Sequence, residues 1–390
     1  MSLTSEQRAL KEEIRAYFAS VVTPEYRALM HDYRNPQRRV AYKTLIRTMG
    51  RDGWLAVGWP ERFGGKGYTP LEQLIFFEEA FLAGVTLPFV TINTVAPALM
   101  EHGSDVHRRK FLPGIAAGEI HFAIGYTEPS AGTDLATLKT TALPEGDGFV
   151  VNGQKVFTSD IDAADYVWLA CRTDPKQARH KGISVLIVDA RAQGVSFTPI
   201  YTVGHQTFAS YYSDVRVPGD MLVGQLHGGW KLITAQLNHE RIGLGAFGIK
   251  SRGCFFETLA WARQADETGA RPIDRSWVAA ALAECYQKLE AMRLLNYRMA
   301  ADVTLGRVDV GLAAAAKVFG TETPIAVFRK LLEVVGSGGL YRRDSAAVVL
   351  AARLEEEYRL ALINTFGGGV NELLRDLASQ FGLGMPRAAR

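Results

Sequence analysis

Apolar residues recur at helical spacing through the first third of the chain. Over 5–33, Leu10, Ile14, Tyr17 and Phe18 share one side and Thr4 or Ser5 can cap the start, which predicts a helix. A second amphipathic pattern covers 36–52. Trp59-Pro60-Glu61-Arg62-Phe63-Gly64-Gly65-Lys66-Gly67 then carries too many breakers for a regular element. Helical patterns return at 70–83, 90–103 and 105–117.

The texture changes near residue 120. Gly125-Tyr126-Thr127-Glu128-Pro129-Ser130-Ala131-Gly132-Thr133-Asp134 combines glycines, a proline and small hydroxyl or acidic side chains. It reads as a loop whose backbone N–H groups and hydroxyls face a polar ligand. From Phe149 short strands follow. Phe149–Val151 and Lys155–Phe157 flank Asn152-Gly153, which predicts a hairpin. Further strands are expected at Val167–Arg172, Ile183–Asp189, Val195–Ile200 and Phe208–Val217, a β unit of roughly 100 residues. From Gly229 the pattern is helical again, at Trp230–Phe247, Gly253–Ala265, Trp277–Leu305, Val310–Thr323, Pro324–Gly336, Ala346–Phe366 and Asn371–Gln380. Long helices with short connections predict a bundle. The expected fold is α+β and multidomain: an N-terminal helical domain over 1–120, a central small β-barrel over 121–228 and a C-terminal helical bundle over 229–390.

Composition narrows the function. A chain of 390 residues exceeds one simple core. With 47% hydrophobic and 22% charged residues it belongs with globular proteins. A net charge of +3, without a basic block interleaved with aromatics, gives no case for nucleic acid. Cys171, Cys254 and Cys285 are widely spaced, which argues against disulfides and zinc and predicts a reducing, cytoplasmic setting without a metal site. Met1–Gln7 lacks the pattern of a signal peptide, and no run of 18 apolar residues predicts a membrane span.

Five motifs in order carry a resemblance: Trp59-Pro60; Thr127-Glu128-Pro129 with Ala131-Gly132-Thr133-Asp134; Lys155–Asp160 within Gln154–Ala164; Glu240-Arg241; and Phe366–Arg375. Together they resemble the acyl-CoA dehydrogenase family over nearly the whole chain. The resemblance implies FAD as cofactor and α,β-dehydrogenation of an acyl-CoA thioester. A carboxylate takes the α-proton and the β-hydrogen leaves as hydride to flavin N5. It implies cofactor contacts at Ile124, Tyr126, Thr127, Thr133, Phe157, Ser159, Gly368 and Asn371. Phe157 stands where the family usually has tryptophan, keeping an aromatic face. Phe157 read without the family is equally a barrel-core residue, and Ser159 a surface hydroxyl.

Many family members carry the base as a glutamate in the C-terminal segment. Here that stretch is Thr365-Phe366-Gly367-Gly368-Gly369-Val370-Asn371-Glu372, with glycine at the position. Glu372 reads as a first-turn charge favoured by the helix dipole. A second branch places its base on the first long C-terminal helix, where this chain has Asn238-His239-Glu240-Arg241. The resemblance therefore implies Glu240 as catalytic base, with Thr133 and Arg241 contacting substrate; the bland alternatives are an exposed helical glutamate and an interhelix ion pair.

Two departures matter. A segment that clamps a neighbour's flavin in homotetramers is Asp266-Glu267-Thr268-Gly269-Ala270-Arg271-Pro272-Ile273 here, and a later neutral contact becomes Glu333 in Glu333–Gly336. An acid facing a pyrophosphate is repulsive. This pattern is similar to the glutamate-bearing subunit of bacterial steroid side-chain dehydrogenases, α2β2 heterotetramers. It implies a related subunit as partner, a sterol or bile-acid side-chain CoA ester as substrate, and electron-transfer flavoprotein as acceptor. The alternatives are a homotetrameric dehydrogenase of branched or medium chains, a non-catalytic scaffold subunit, or an oxidase of the same fold.

Overall fold

A computed structural model describes residues 3–30, 32, 35–236, 248–307 and 309–387. The chain forms two compact units: Ser20–Tyr68 with Thr86–Glu240, and Met1–Ala19 with Thr69–Val85 and Arg241–Arg390.

The first unit is built on an eight-stranded sheet. Its strands are β1 (Phe122–Gly125), β2 (Thr141–Glu145), β3 (Gly148–Lys155), β4 (Tyr166–Arg172), β5 (Ile183–Asp189), β6 (Val195–Tyr201), β7 (Gln206–Pro218) and β8 (Leu222–Val223). The hydrogen-bonded order is β6-β7-β3-β2-β4-β5-β8, and β1 joins β4 in parallel. Val167, Trp168, Leu169, Ala170 and Cys171 of β4 are all buried, as a strand covered on both faces requires. Helices α2 (Pro24–Met30), α3 (Gln37–Arg51), α5 (Ala96–His102) and α6 (Asp105–Ala116) complete this unit, and 229–236 are helical (α7).

The second unit is helical. It contains α1 (Ser5–Val21) up to residue 19, α4 (Pro70–Leu82), α8 (Ile249–Ala262), α9 (Ser276–Thr304), α10 (Val310–Val335), α11 (Arg353–Ala361) and α12 (Asn371–Leu377). Thr69 and Glu72 cap α4 reciprocally, and Pro70 supplies the fixed φ of its first turn. Cys254, Phe255, Leu282, Leu289, Met292, Val327, Phe328 and Leu331 form the core of this bundle. No helix among the described residues is long and apolar enough to cross a membrane.

Four expected elements change. The helix over 5–33 divides, because Pro24 disfavours helix at Thr23, whose Oγ1 then caps α2 by accepting from the Tyr26 N–H (3.1 Å). The Asn152-Gly153 hairpin is not formed. β3 runs straight through it, and the reversal lies at Gly146-Asp147 between β2 and β3. Gly153 instead marks a bulge against β7, at φ 148, where a Cβ would come within 2.6 Å of Thr140 Oγ1. The two helices expected around Pro324 are one, α10, since Pro324 is buried in a bundle whose packing outweighs one lost hydrogen bond. Finally, Leu350, Ala351 and Ala352 all have positive φ, so α11 starts only at Arg353.

Candidate active site

Two loops meet at the ends of β1 and β3. The Val156 N–H donates to the Thr127 carbonyl (2.8 Å), and Lys155 Nζ donates to the Tyr126 carbonyl (3.1 Å). The two segments that carry the sequence signature are therefore stitched together. Gly132 folds back towards Thr127, with its virtual Cβ 3.9 Å from the Thr127 methyl.

A buried ion pair anchors the junction. Lys155 Nζ lies 2.8 Å from Glu128 Oε1, and both side chains are almost wholly buried. The Glu128 carboxylate also accepts from the Lys139 N–H (2.6 Å) and the Thr140 N–H (2.8 Å). Burial alone would raise its pKa, but Lys155 and the Thr140 N–H outweigh that and hold it below the ordinary glutamate value. Burial lowers the Lys155 ammonium, with Glu128 opposing. The pair ties three backbone segments to one point.

Tyr126 faces inward. Its hydroxyl donates to Gln236 Oε1 and accepts from Trp168 Nε1 (3.1 Å). Its expected ligand contact is thus confined to its backbone. Ile124 is half-buried on β1 opposite Trp168.

The second loop presents groups outward. Phe157 has φ 60 and is 58% exposed, which excludes the barrel-core alternative. Asp160 also has positive φ, at 61. A non-glycine residue pays for that conformation unless its surroundings hold it. Arg39 of α3 does so, donating to Asp160 (2.7 Å) and in a fork to Asp162 (2.7 and 3.1 Å). Ser159 pairs its hydroxyl with Thr207 (3.0 Å), and Thr158 pairs with Ser210 (3.0 Å), fixing the turn between them. Thr133 and Ser159 are exposed. An aromatic face, hydroxyls and backbone donors on a rigid buried frame fit a planar heteroaromatic cofactor with polar edges.

Gly368 and Asn371 lie in the helical unit. Lys317 of α10 donates to the Gly369 carbonyl (2.6 Å) and to Asn371 Oδ1 (2.9 Å). Asn371 Nδ2 donates to Thr321 (3.1 Å) and Glu322 (3.0 Å), so this buried side chain joins α12 to α10. Glu372 is exposed on the first turn of α12, as the dipole reading expects. Glu240 and Arg241 lie outside the described residues, as does part of the helix expected over 230–247.

The acids that depart from the family pattern have local partners. Asp266 Oδ1 accepts from the Thr268 N–H (2.8 Å), the Thr268 hydroxyl (2.6 Å) and the Ala270 N–H (3.1 Å). Those bonds, led by the Thr268 hydroxyl, lower its pKa. Arg271 pairs with Asp274 and Glu333 with Lys330. Among the described residues no cluster of His, Cys, Asp and Glu is placed to hold a metal ion.

Sequence reasoning passed over Glu128, Lys155, Trp168, Gln236 and Arg39 as positioning residues. A lysine at an inward position of β3 was the available signal for the first two.

The fold carrying this loop pair is that of a class of oxidoreductases. Models of the acyl-CoA dehydrogenase N-terminal, middle and C-terminal domains match residues 4–119, 123–214 and 227–383. The chain belongs to the acyl-CoA dehydrogenase family, whose members are flavoproteins. It is 48% identical to acyl-CoA dehydrogenase FadE26 and 49% identical to FadE29, both of Mycobacterium tuberculosis and both over the full length of each chain. Among solved structures it resembles the ChsE4-ChsE5 complex of M. tuberculosis (TM-score 0.93, 49% identity, all of both chains). It also resembles the Tcur3481-Tcur3483 steroid ACAD (TM-score 0.93, 47% identity, 99% of each chain).

Proposed function

We propose that this chain is the glutamate-bearing subunit of a heteromeric, FAD-dependent dehydrogenase acting on a bulky, steroid-derived acyl-CoA thioester. The observation that carries the flavin part is the outward-facing set Thr133, Phe157 and Ser159 on loops pinned by Glu128–Lys155 and Arg39. The backbone of Ile124 and Tyr126, the Thr127 hydroxyl and the Phe157 ring would hold the isoalloxazine. Bound FAD supplies the two-electron acceptor for the β-hydride.

The protein's own part is proton removal. Glu240 takes the α-proton as general base. Glycines at 367–369 and the exposed first-turn position of Glu372 leave the C-terminal segment without a rival carboxylate. Arg241 and Thr133 orient the thioester portion.

The heteromeric reading rests on the likeness to the ChsE4-ChsE5 complex and to the Tcur3481-Tcur3483 steroid ACAD, and on Asp266 and Glu333. Their negative charges are committed to local turns and pairs rather than shaped for a neighbour's pyrophosphate. The steroid class is taken from the Tcur3481-Tcur3483 steroid ACAD, and electron-transfer flavoprotein is the proposed acceptor.

The test is Glu240→Gln in the assembly formed with its partner. FAD absorbance should be retained while turnover falls on the order of 10²–10⁴-fold. Unchanged turnover rejects the base. Full FAD occupancy of the chain expressed alone rejects the heteromer.

A further inference from the structure

Tyr126 stands in a hydrogen-bond chain whose direction is fixed. Trp168 is fully buried on β4, and its ring N–H can only donate. It donates to the Tyr126 hydroxyl oxygen (3.1 Å), so the hydroxyl proton goes the other way, to Gln236 Oε1. That fixes the orientation of the Gln236 amide, whose Nε2 donates to the Thr94 carbonyl (3.5 Å). Gln236 is 3% exposed, and an amide this buried and bonded at both ends is a fixed point of the fold.

Thr94 belongs to an irregular segment. Val90–Val95 winds as a π-helix, a rare geometry that recurs at functional sites. Side-chain donors meet two of its carbonyls: Trp59 Nε1 at Ile92 (3.3 Å) and Gln236 Nε2 at Thr94. One polarised chain therefore runs from β4 through Tyr126 and Gln236 to the π-turn. It ties α7 to the loop that carries Tyr126 and Thr127, and all of its members lie within the sheet-bearing unit.

We propose that Gln236 is a positioning residue for proton removal: the Trp168–Tyr126–Gln236–Thr94 chain sets α7, and through it Glu240, in register with the loop that would hold the flavin. This rests on the reading of Glu240 as base. Glu240, outside the described residues, follows Gln236 by four positions, one turn of the helix expected over 230–247. A displacement of about 1 Å at a reacting group costs on the order of 10²-fold, so a tie one turn away governs rate.

The test reads the base without hydride transfer. tert-Butylacetyl-CoA has α-hydrogens and no β-hydrogen, so it cannot be dehydrogenated. In deuterated water the base can still take its α-proton and return a deuteron, which NMR follows. In the FAD-loaded assembly, Gln236→Leu and Tyr126→Phe should slow this exchange about 10²-fold, with FAD absorbance and the KM for an oxidisable thioester unchanged. Gln236→Glu is the conservative probe. Its carboxyl accepts from Tyr126 in either state but donates to Thr94 only when protonated, so exchange relative to wild type should recover as pH falls. Wild-type exchange in Gln236→Leu and Tyr126→Phe would overturn the assignment. So would a loss in Gln236→Glu that no pH restores, which would make the defect one of packing. Release of FAD from these variants would overturn it too, by giving the chain to cofactor binding. Exchange surviving in Glu240→Gln, or absent from wild type, would reject the base reading itself, and this inference with it.

Discussion

In the sheet-bearing unit, Lys155 donates to the Tyr126 carbonyl and to the Glu128 carboxylate. In the helical unit, Lys317 donates to the Gly369 carbonyl and to the Asn371 amide oxygen. Both lysines pin a glycine-containing loop by its backbone. They differ in counter-charge. Lys155 is wholly buried against a carboxylate, so the pair stays ionised in a dry interior. Lys317 is half-buried with a neutral amide in contact, and Glu372 and Glu322 act only at longer range. Burial therefore takes its pKa down to about 8. A lysine without a carboxylate in contact is tolerated at the edge of the bundle and would not be tolerated in the sheet core.

The largest way to break the comparison is Lys155→Met. It strands the Glu128 carboxylate, and urea denaturation should show a loss of about 3–5 kcal/mol together with FAD release. Adding Glu128→Gln should recover part of that loss; no recovery would mean the charge was not the cause.

The second effect is acid sensitivity of the sheet unit. His121 is neutral when folded and titrates near 4, against 6.5 as its ordinary value. Between those values the unfolded chain takes up the proton first, so stability falls as pH drops from 6.5 to 4, by about 3 kcal/mol in full. The groups facing it are Lys43, Arg47, Asp165 and Tyr42. His121→Phe should flatten the stability profile across that window, and an unchanged slope would place the sensitivity elsewhere.

The smallest effect sits at the other end of the scale. Lys317 carries a lowered pKa when folded, so its charge costs stability below pH 8 and that cost is relieved as pH rises towards 10.5. Lys317→Met should remove this rise and also lose the hydrogen bond to Gly369, for a net change of about 1 kcal/mol. Thermal melts of both proteins at pH 7 and 10 measure it.

Much of the fold was legible because its cues are local. The helical pattern over 70–83 announces α4, and the spacing of Leu10, Ile14 and Phe18 announces α1. The 125–134 loop was legible as a loop from its glycines, proline and small hydroxyls, a composition that suits a plain turn-rich connector equally well until the 154–164 segment is read with it. The hairpin at Asn152-Gly153 was misread because the same dipeptide serves a turn and a bulge, and only the pairing of β3 with β2 and β7 distinguishes them. Pro324 was misread because propensity sees one lost bond and not the buried surface on both sides of it.

The sequence by itself determined the order of helical and sheet segments and the family, because periodicity and turn chemistry act over a few residues. Only the tertiary structure decided that Glu128 meets Lys155 across 27 residues, that Arg39 holds the Phe157–Asp160 turn, and that His121 lines a recess with both nitrogens open. Those outcomes depend on strand register and on what burial leaves unpaired, and neither exists until the chain has folded.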